Sequence, residues 1–375
     1  MIFLNRERAV LESLMPGLDA ALAEIPLARL ESKESPAIEF FRESGGPGLL
    51  VPPELGGLGA TPMDAICVQR ALGARSPSLA VATSMHHFSV AGMVEVMRLG
   101  KGVEWLLLES VASARKLLAS GFAEGVHDQG AFSPTMRARR DGDRLLVSGQ
   151  KKPCSLSRSM DLLTVSVLIE SDETAGEEFA VAVIPADAAG IEVVPFWAAT
   201  VLGGTQSDAV VLTDVAVDPD MVIRDGTGPR PEFGGAQVSS CIWFQLLVSA
   251  SYLGAASALT ERLLMSRTGD IGMDAAALTD VEAAMASLDS VARRVMEAES
   301  DLLPTMLACR YACQDAITRT VGIAVEQLGG MAFVSSGDVS YLASASRALA
   351  FHPPSRARSA AALADAFRGH EFVLT

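Results

Sequence analysis

Short runs of strand-forming residues occur only in the middle of this chain, between two long segments with helical periodicity. In the first segment, apolar residues recur at spacings of three and four and mark one face of an amphipathic helix: Leu11, Leu14, Leu18, Leu22 and Ile25. The middle segment holds runs rich in Val, Ile and Leu, such as residues 162–169 and 179–184. Turn signals such as Asp141-Gly142-Asp143 separate these runs. Ala-rich helical runs return from about Gly235.

This order of helices, strands and helices predicts the α+β class, with a central β-sandwich or barrel. The predicted domains are residues 1–115, helical; 116–228, the β domain; and 229–375, a helical bundle. A long helix that stops at Gly329-Gly330 is expected within the bundle.

Composition excludes several classes of function. The net charge of −15 disfavours nucleic acid and an anionic membrane surface as partners. Disorder is disfavoured because 49% of the residues are apolar and only 20% are charged. The 5 cysteines are scattered, so they predict neither a disulfide framework nor a metal site. A signal peptide is not expected, because the N-terminal residues are charged from Arg6 onward. We therefore expect a cytoplasmic location.

One uncharged stretch, Cys241 to Leu259, is long enough to raise the question of a membrane span. It contains Gln245 and several serines and leads directly into Glu261-Arg262. A helix buried inside a soluble bundle is therefore the better interpretation.

Six segments in register identify a resemblance that covers nearly the whole chain. They are Val51-Pro52-Pro53-Glu54-Leu55-Gly56-Gly57-Leu58-Gly59, Gly121-Phe122-Ala123-Glu124-Gly125, Asp141-Gly142-Asp143 with Ser148-Gly149-Gln150-Lys151, Gly203-Gly204-Thr205-Gln206-Ser207, Thr213-Asp214-Val215-Ala216-Val217, and Gln327-Leu328-Gly329-Gly330-Met331-Ala332-Phe333. In this order they resemble loops of the acyl-CoA dehydrogenase superfamily. The resemblance implies that family's fold: an N-terminal helical domain, a central β domain and a C-terminal four-helix bundle.

The same resemblance implies a flavin, FAD or FMN, because loops at the mouth of a β domain supply N–H and hydroxyl groups to a flavin ring. It places Phe122, Ala123, Cys154 and Ser155 around the ring. It also places Glu124 in the flavin loop, where this residue would either help to bind the cofactor or make structural hydrogen bonds. Gln327, Gly329 and Gly330 would meet the dinucleotide end of FAD. A plain helix C-cap is the alternative role of the two glycines.

The chain departs from the dehydrogenase pattern where that family keeps its catalytic Glu. The C-terminal segment that usually carries the base, residues 348–357, holds no Glu. The alternative position for the base, in the first helix of the bundle, falls on Phe244. An element that helps to bind FAD pyrophosphate is reduced to residues 267–272. Ordinary α,β-dehydrogenation of a thioester therefore lacks its base.

Two further segments are similar to dibenzothiophene-monooxygenase-like enzymes of the same fold: residues 152–163 and Phe351-His352-Pro353-Pro354. That similarity implies reduced flavin taken from a separate reductase, a flavin C4a-peroxide formed with oxygen, and transfer of one oxygen atom. Ser155 would donate a hydroxyl near N5 and C4a, and His352, with His86 or His87, would tune the peroxide's proton. Each of these residues also has a structural interpretation. His86 and His87 could be capped or core histidines, His352 could merely belong to the loop before the last helix, and Ser155 could be a strand-edge hydroxyl that satisfies a backbone group.

Three functions therefore remain open. The favoured one is a reductase-fed flavin monooxygenase acting on a small organic or natural-product substrate. An FAD dehydrogenase of acyl-CoA or acyl-carrier thioesters with an atypical base is the first alternative, and a flavin-less partner subunit is the second. A homodimer or homotetramer is expected, because the bundle is strongly apolar and the resembling family assembles in this way.

Overall fold

The computed structural model describes residues 2–98, 104–125, 134–170, 177–224, 235–266 and 270–373. The N-terminal part is helical, and its helices are α1 (Asn5–Leu14), α2 (Leu18–Ala23), α3 (Leu27–Leu30), α4 (Ala37–Glu43), α5 (Pro62–Arg75), α6 (Pro77–Arg98) and α7 (Glu104–Ser113). Thr61 caps α5 with a capping box: its hydroxyl accepts from the Asp64 N–H and the Asp64 carboxylate accepts from the Thr61 N–H. The apolar stripe expected to form one helix is divided at Gly17, whose φ of 81° interrupts the helix between α1 and α2.

The middle of the chain forms a mainly antiparallel sheet. Its strands are β1 (Leu118–Gly121), β2 (Arg137–Asp141), β3 (Arg144–Cys154), β4 (Leu162–Glu170), β5 (Glu177–Pro185), β6 (Ile191–Val194), β7 (Asp208–Val217) and β8 (Val222–Arg224). Their order in the 8-stranded sheet is β6-β7-β3-β2-β4-β5-β8, and β1 pairs with β4. The β1–β4 pairing is parallel, with Leu118 opposite Leu162, so β1 ends beside the centre of the sheet.

The C-terminal part is helical again. Its helices are α8 (Gly235–Ser266), α9 (Ile271–Met296), α10 (Leu303–Ser335), α11 (Gly337–Ala345) and α12 (Arg356–Ala366). The helix expected to stop at Gly329-Gly330 continues to Ser335, but Gly329 has non-helical angles of φ 77° and ψ 169° and kinks it. The α+β class and the predicted order of helices, strands and helices are confirmed. The predicted boundary between residues 228 and 229 lies outside the described residues.

Helix α8 is the centre of the molecule and crosses α5 at two glycines. A Cβ on Gly73 would lie 2.2 Å from the carbonyl oxygen of Ser251, and a Cβ on Gly254 would lie 2.3 Å from that of Arg70. The helices therefore touch through their backbones. The fully buried Arg70 side chain bonds Glu7 at 2.9 Å and Glu282 at 2.6 Å, which ties α1 and α9 to the same crossing.

Part of α8, Gln237–Ser266, is the one helix of the described chain that is long and apolar enough to cross a membrane. In its most apolar window, 94% of the residues are buried inside the fold. This agrees with the interpretation of a core helix in a soluble protein.

The buried carboxylate of Glu31, beside the end of α3, joins the three parts of the chain. It accepts hydrogen bonds from the hydroxyls of Ser76 at 2.5 Å and Ser78 at 2.6 Å, in the N-terminal part, and from the phenol of Tyr341, on α11. The Tyr341 oxygen in turn accepts the N–H of Leu202, in the loop before β7, at 2.7 Å. One carboxylate thus holds both helical parts against the β part.

Candidate active site

Two loops meet where β1 and β3 end, and they carry the residues predicted to surround a flavin ring. The Lys152 N–H donates to the Ala123 carbonyl at 2.8 Å, which links the loop after β1 to the last residues of β3. Phe122 and Ala123 are half-buried, whereas Cys154 and Ser155 are buried. The structure therefore brings these four predicted residues together at one end of the sheet.

Glu124 holds the first loop in place through an ion pair and backbone bonds. Its carboxylate lies 2.7 Å from Nζ of Lys151 and accepts the N–H groups of Thr135 and Met136 at 3.0 and 3.1 Å. Burial lowers the pKa of the Lys151 ammonium, an effect that the contact with Glu124 opposes. These bonds give Glu124 the structural role that the sequence left open beside cofactor binding.

Cys154 is fully buried among apolar side chains, so it offers only its backbone to a ligand at this end of the sheet. Burial raises the pKa of its thiol to about 12, which keeps it protonated.

The hydroxyl of Ser155 belongs to a short chain of buried hydroxyls. Its Oγ lies 2.9 Å from Oγ of Ser207, which lies 2.7 Å from Oγ1 of Thr205. Thr205 donates to the carbonyl of Leu202 at 2.7 Å. The chain joins the loop after β3 to the loop before β7.

A row of edge-to-face aromatic contacts runs from the first loop to the C-terminal part. The ring centroid of Phe122 lies 5.5 Å from that of Phe88, Phe88 lies 5.4 Å from Phe244, and Phe244 lies 5.8 Å from His352. Phe244 therefore contacts the imidazole at the position where a Glu base was sought. Phe122 and His352, predicted from distant segments, belong to one continuous aromatic surface.

His352 is a neutral imidazole held by Tyr252. The Tyr252 phenol lies 2.9 Å from Nε2 of His352. Burial, with a smaller effect of the Arg310 cation, lowers the pKa of His352 to about 3, and burial raises the pKa of Tyr252. Among the described residues the buried Tyr252 phenol has no other hydrogen-bond partner, so its proton goes to Nε2 and the ring proton lies on Nδ1.

The loop that carries His352 is fixed from beneath by α8 and α10. Arg310 donates to the carbonyl groups of Pro354 at 2.7 Å and of His352, and Tyr311 donates to that of Pro354 at 3.0 Å. Gln245 donates to the carbonyl of Pro353 at 2.9 Å. Sequence reasoning missed Tyr252 and Arg310. The available signals were a single tyrosine within the uncharged stretch Cys241 to Leu259 and an arginine among the apolar residues at the start of α10.

His86 uses both ring nitrogens within the fold. Its Nδ1 accepts the Leu118 N–H at 3.0 Å, so Nε2 carries the proton and donates to the Pro47 carbonyl at 2.9 Å. Burial lowers the pKa of His86 to about 4. His86 fastens β1 to the N-terminal part, and we do not place it in the proposed site.

His87 points into the helical core. Its ring packs edge-to-face on Phe41 and on His86, with centroid distances of 5.7 and 5.1 Å. Neither nitrogen has a hydrogen-bond partner among the described residues. Burial lowers its pKa well below the ordinary value. Neither contact joins His87 to the aromatic row or to the two loops.

Gln327, Gly329 and Gly330 lie on the outer part of α10. The Gln327 side-chain oxygen accepts the N–H of Asp270 at 2.8 Å, before α9. A Cβ on either glycine would meet no atom within 4 Å, so both face open space. Their predicted part in binding a dinucleotide stays a prediction. Of the reduced pyrophosphate element, residues 267–269 lie outside the described residues.

A mainly apolar pocket lies between α6, the start of α8 and the sheet, beside the aromatic row. About 570 Å³ of space free of protein atoms is present there, part of it open to solvent. Its walls are Phe88, Ser89, Gly92, Met93, Val96, Phe122, Thr164, Phe179, Val181, Ile223, Gln237 and Ser240. None of these described lining residues is charged, and the side-chain oxygen of Gln237 is buried without a hydrogen-bond partner among them.

The residues at the two loops fit a flavin. An isoalloxazine ring needs apolar contact on its faces and hydrogen-bonding groups along its edge. Phe122 supplies an aromatic side chain, Ser155 supplies a hydroxyl, and Oε1 of the neighbouring Gln206 is buried with no partner in the described structure. The apolar pocket shares Phe122 with this place, so a ring held by the two loops and a molecule in the pocket would be neighbours.

Comparison with known proteins agrees with this description. No protein-family model matches the chain. The chain is 42% identical over 371 residues to isobutylamine N-hydroxylase of Streptomyces viridifaciens, which covers 98% of both chains. It is 31% identical over 187 residues to dibenzothiophene monooxygenase of Rhodococcus erythropolis, 49% of this chain and 44% of that one.

Among solved structures, KijD3 in complex with FMN and a dTDP-linked amino sugar superimposes with a TM-score of 0.85. The match covers 98% of this chain and 95% of KijD3. Because the identity is only 17%, the match shows the fold alone. The predicted superfamily and its monooxygenase branch are confirmed. The chain belongs to the family of isobutylamine N-hydroxylase, and it is a flavin-dependent monooxygenase of the acyl-CoA dehydrogenase fold.

Proposed function

We propose that this monooxygenase hydroxylates the nitrogen of a small aliphatic primary amine, with FMN that a separate reductase supplies in reduced form. The observation that carries the proposal is the uncharged pocket with the unpaired Gln237 oxygen in its wall. The 42% identity to isobutylamine N-hydroxylase supports the amine, and the FMN bound by KijD3 supports the form of the flavin.

An uncharged pocket suits an amine that must react through its lone pair. Free alkylamines have a pKa near that of lysine, about 10.4, and are mostly cationic at pH 7. A carboxylate in the wall would favour the ammonium ion, which has no lone pair to offer. Apolar walls such as Phe88, Met93 and Val181 favour the neutral amine, because burial lowers an amine's pKa.

The neutral amine still needs a hydrogen-bond partner to be oriented. Oε1 of Gln237 is an acceptor, so it can take one N–H of the amine and leave the lone pair free to face Phe122. The alkyl group would then lie among the apolar walls. His352, at the other end of the aromatic row, offers Nδ1–H as a donor to a reacting group.

Reduced flavin, when bound, supplies two electrons that activate molecular oxygen for transfer of one oxygen atom. In the overall reaction one N–H of the amine becomes N–OH, the second oxygen atom leaves as water, and the flavin ends oxidised. The residues of the chain bind the amine, exclude water and hold the proton of His352 on Nδ1.

The test is a coupled assay with FMN, NADH, a flavin reductase and a set of primary amines from ethylamine to hexylamine, with hydroxylamines detected by mass spectrometry. We expect hydroxylamine from branched and linear C3–C5 amines and none from dibenzothiophene. Gln237→Leu should lower kcat/KM for the amines about tenfold, the effect of one lost hydrogen bond to a neutral partner. Ser240→Ala, in the same wall, is the matched control and should change kcat/KM far less.

Two results would contradict the proposal. One is sulfur oxidation without amine turnover. The other is anaerobic bleaching of oxidised, flavin-loaded protein by a thioester, which would favour the dehydrogenase alternative. We also propose a cytoplasmic location and a homodimeric or homotetrameric assembly.

A further inference from the structure

The hydroxyl chain of Ser155, Ser207 and Thr205 is closed at one end by a group that can only accept. All three residues are buried, with exposed fractions of 9%, 4% and 1%. Their oxygens lie 2.9 and 2.7 Å apart, and the last lies 2.7 Å from the carbonyl oxygen of Leu202. A carbonyl has no proton, so the direction of the first bond is fixed: Thr205 donates and Leu202 accepts.

That bond determines the directions of the other two. Each hydroxyl has a single proton, and Thr205 has used its own on Leu202. The 2.7 Å contact between Thr205 and Ser207 then needs the proton of Ser207, since two bare oxygens at this distance repel. The 2.9 Å contact between Ser207 and Ser155 likewise needs the proton of Ser155. In a buried site, where such bonds reinforce one another, this order is strongly preferred.

Ser155 therefore presents only lone pairs to whatever lies against it. This is opposite to the donor role that the resemblance assigns to it. The reduced and oxidised states of a flavin differ in the hydrogen bond that N5 can make. Reduced flavin carries an N–H at N5, which needs an acceptor, whereas N5 of oxidised flavin has a lone pair and no proton.

We propose that Thr205 and Ser207 fix Ser155 as a hydrogen-bond acceptor and thereby make the site bind reduced flavin more tightly than oxidised flavin. Thr205 and Ser207 are thus positioning residues that act through Ser155. The inference rests on the proposed place of the flavin beside Ser155 but not on the identity of the substrate. It gives a physical reason why a protein with the proposed function would take up its flavin in the reduced form.

The test measures binding rather than turnover. The dissociation constants of oxidised FMN and of dithionite-reduced FMN are measured anaerobically by calorimetry on the full chain. For the wild type we expect reduced FMN to bind more tightly. Thr205→Val keeps the shape of the side chain but removes the anchor, so Ser155 becomes free to donate. The ratio of the two constants should then fall roughly tenfold, the effect of one hydrogen bond.

Two further variants keep the outcome clear. Ser207→Ala interrupts the chain next to Ser155 and should lower the ratio in the same way, so it serves if Thr205→Val does not fold. Thr320→Val removes another buried threonine hydroxyl, which donates to the Ala277 carbonyl in the helical bundle at 3.4 Å, and should leave the ratio unchanged.

Ser155→Ala distinguishes a failure of this inference from a failure of the proposed place of the flavin. If it changes the affinity for FMN while Thr205→Val and Ser207→Ala leave the ratio as in the wild type, the inference is wrong and the place of the flavin stands. If Ser155→Ala changes neither constant, the flavin does not contact Ser155 and both fail. Wild-type protein that binds oxidised FMN as tightly as reduced FMN would also overturn the inference.

Discussion

Tyr252 and His352 are 100 positions apart in the chain, yet the phenol oxygen lies 2.9 Å from Nε2 of the imidazole. Burial keeps both groups neutral, and the phenol has no other hydrogen-bond partner in the described structure, so the phenol donates and the imidazole accepts. A residue of the central helix therefore sets the tautomer of His352, which is the one histidine of the aromatic row among the described residues.

Replacing Tyr252 with Phe should uncouple oxygen transfer from flavin oxidation. Without the phenol the imidazole can carry its proton on either nitrogen, so Nδ1 no longer offers a donor at all times. We expect the yield of hydroxylated product per NADH to fall about tenfold, equivalent to roughly 1.4 kcal/mol at the transition state, and hydrogen peroxide to rise in proportion. Both products are quantified in the same reaction.

Tyr311→Phe is the matched control, since this phenol donates to the Pro354 carbonyl and supports the same loop without touching the imidazole. It should lower stability and leave the product yield per NADH nearly unchanged. An undiminished yield in Tyr252→Phe would remove the tautomer from the mechanism.

The stability of the protein should decrease as the pH falls below about 6.5, because the folded chain keeps three histidines neutral: the buried His86 and His87 and the half-buried His352. Burial lowers the pKa of His86 to about 4 and that of His352 to about 3, and the pKa of His87 lies well below 6.5. Between pH 6.5 and 4 the unfolded chain binds protons that the folded chain does not. The stabilisation is therefore complete above pH 6.5 and is lost on acidification.

His87→Leu isolates one of these contributions. His87 has no hydrogen bond among the described residues, so an apolar side chain of similar volume should stabilise the fold by about 1 kcal/mol at pH 7. The loss of unfolding free energy between pH 7 and pH 5 should also become about 2 kcal/mol smaller than in the wild type. Urea titrations at the two pH values measure both effects, and a variant as acid-sensitive as the wild type would contradict the assignment. Turnover should persist, because His87 lies outside the proposed site.

Glu124→Gln should destabilise the fold strongly. It leaves the ammonium of Lys151 buried without a counter-charge, and breaking such a pair costs about 3–5 kcal/mol. Guanidinium unfolding gives the value. The control is Glu177→Gln, which breaks the exposed pair with Arg137 and should change stability far less. The double variant Glu124→Gln with Lys151→Met should recover part of the loss; if it is no more stable than Glu124→Gln, the pairing is not the cause.

The outer end of α10 should be covered in a homo-oligomer. Met331 and Val334 are each 75% exposed, and Phe333 is 46% exposed. Three large apolar side chains in one turn region are typical of an interface. Sedimentation should give a dimer or tetramer, and Val334→Glu should weaken it, whereas Ile2→Glu at the exposed N-terminal end should not. A wild-type monomer at micromolar concentration would refute the expectation.

The sequence predicts the fold well where loops end regular elements. The family resemblance predicted that the segments around Phe122 and Ser155 lie together, and they do meet, because they follow β1 and β3 at the same end of the sheet.

The directions of hydrogen bonds could not be predicted in this way. His86 and His87 are adjacent in one apolar helix, and periodicity does not tell which nitrogens meet a carbonyl or an N–H from elsewhere. The partners of His86 are 39 and 32 residues away. The polarity of Ser155 depends on Thr205 and Leu202, which become its neighbours only when β3 and β7 pair. Such relations arise from tertiary packing, so the sequence could indicate Ser155 but not its role as an acceptor.

The Glu31 carboxylate has a consequence for how the molecule comes apart. Its partners Ser76, Ser78 and Tyr341 lie in different layers, and burial raises the pKa of the carboxyl group against the effect of these bonds. Separating either helical layer from the rest of the molecule would leave the Glu31 carboxyl group, or its partners, without hydrogen bonds. We therefore expect the chain to melt as one cooperative unit, and a flavin bound at the sheet edge to protect helices far from it against heat.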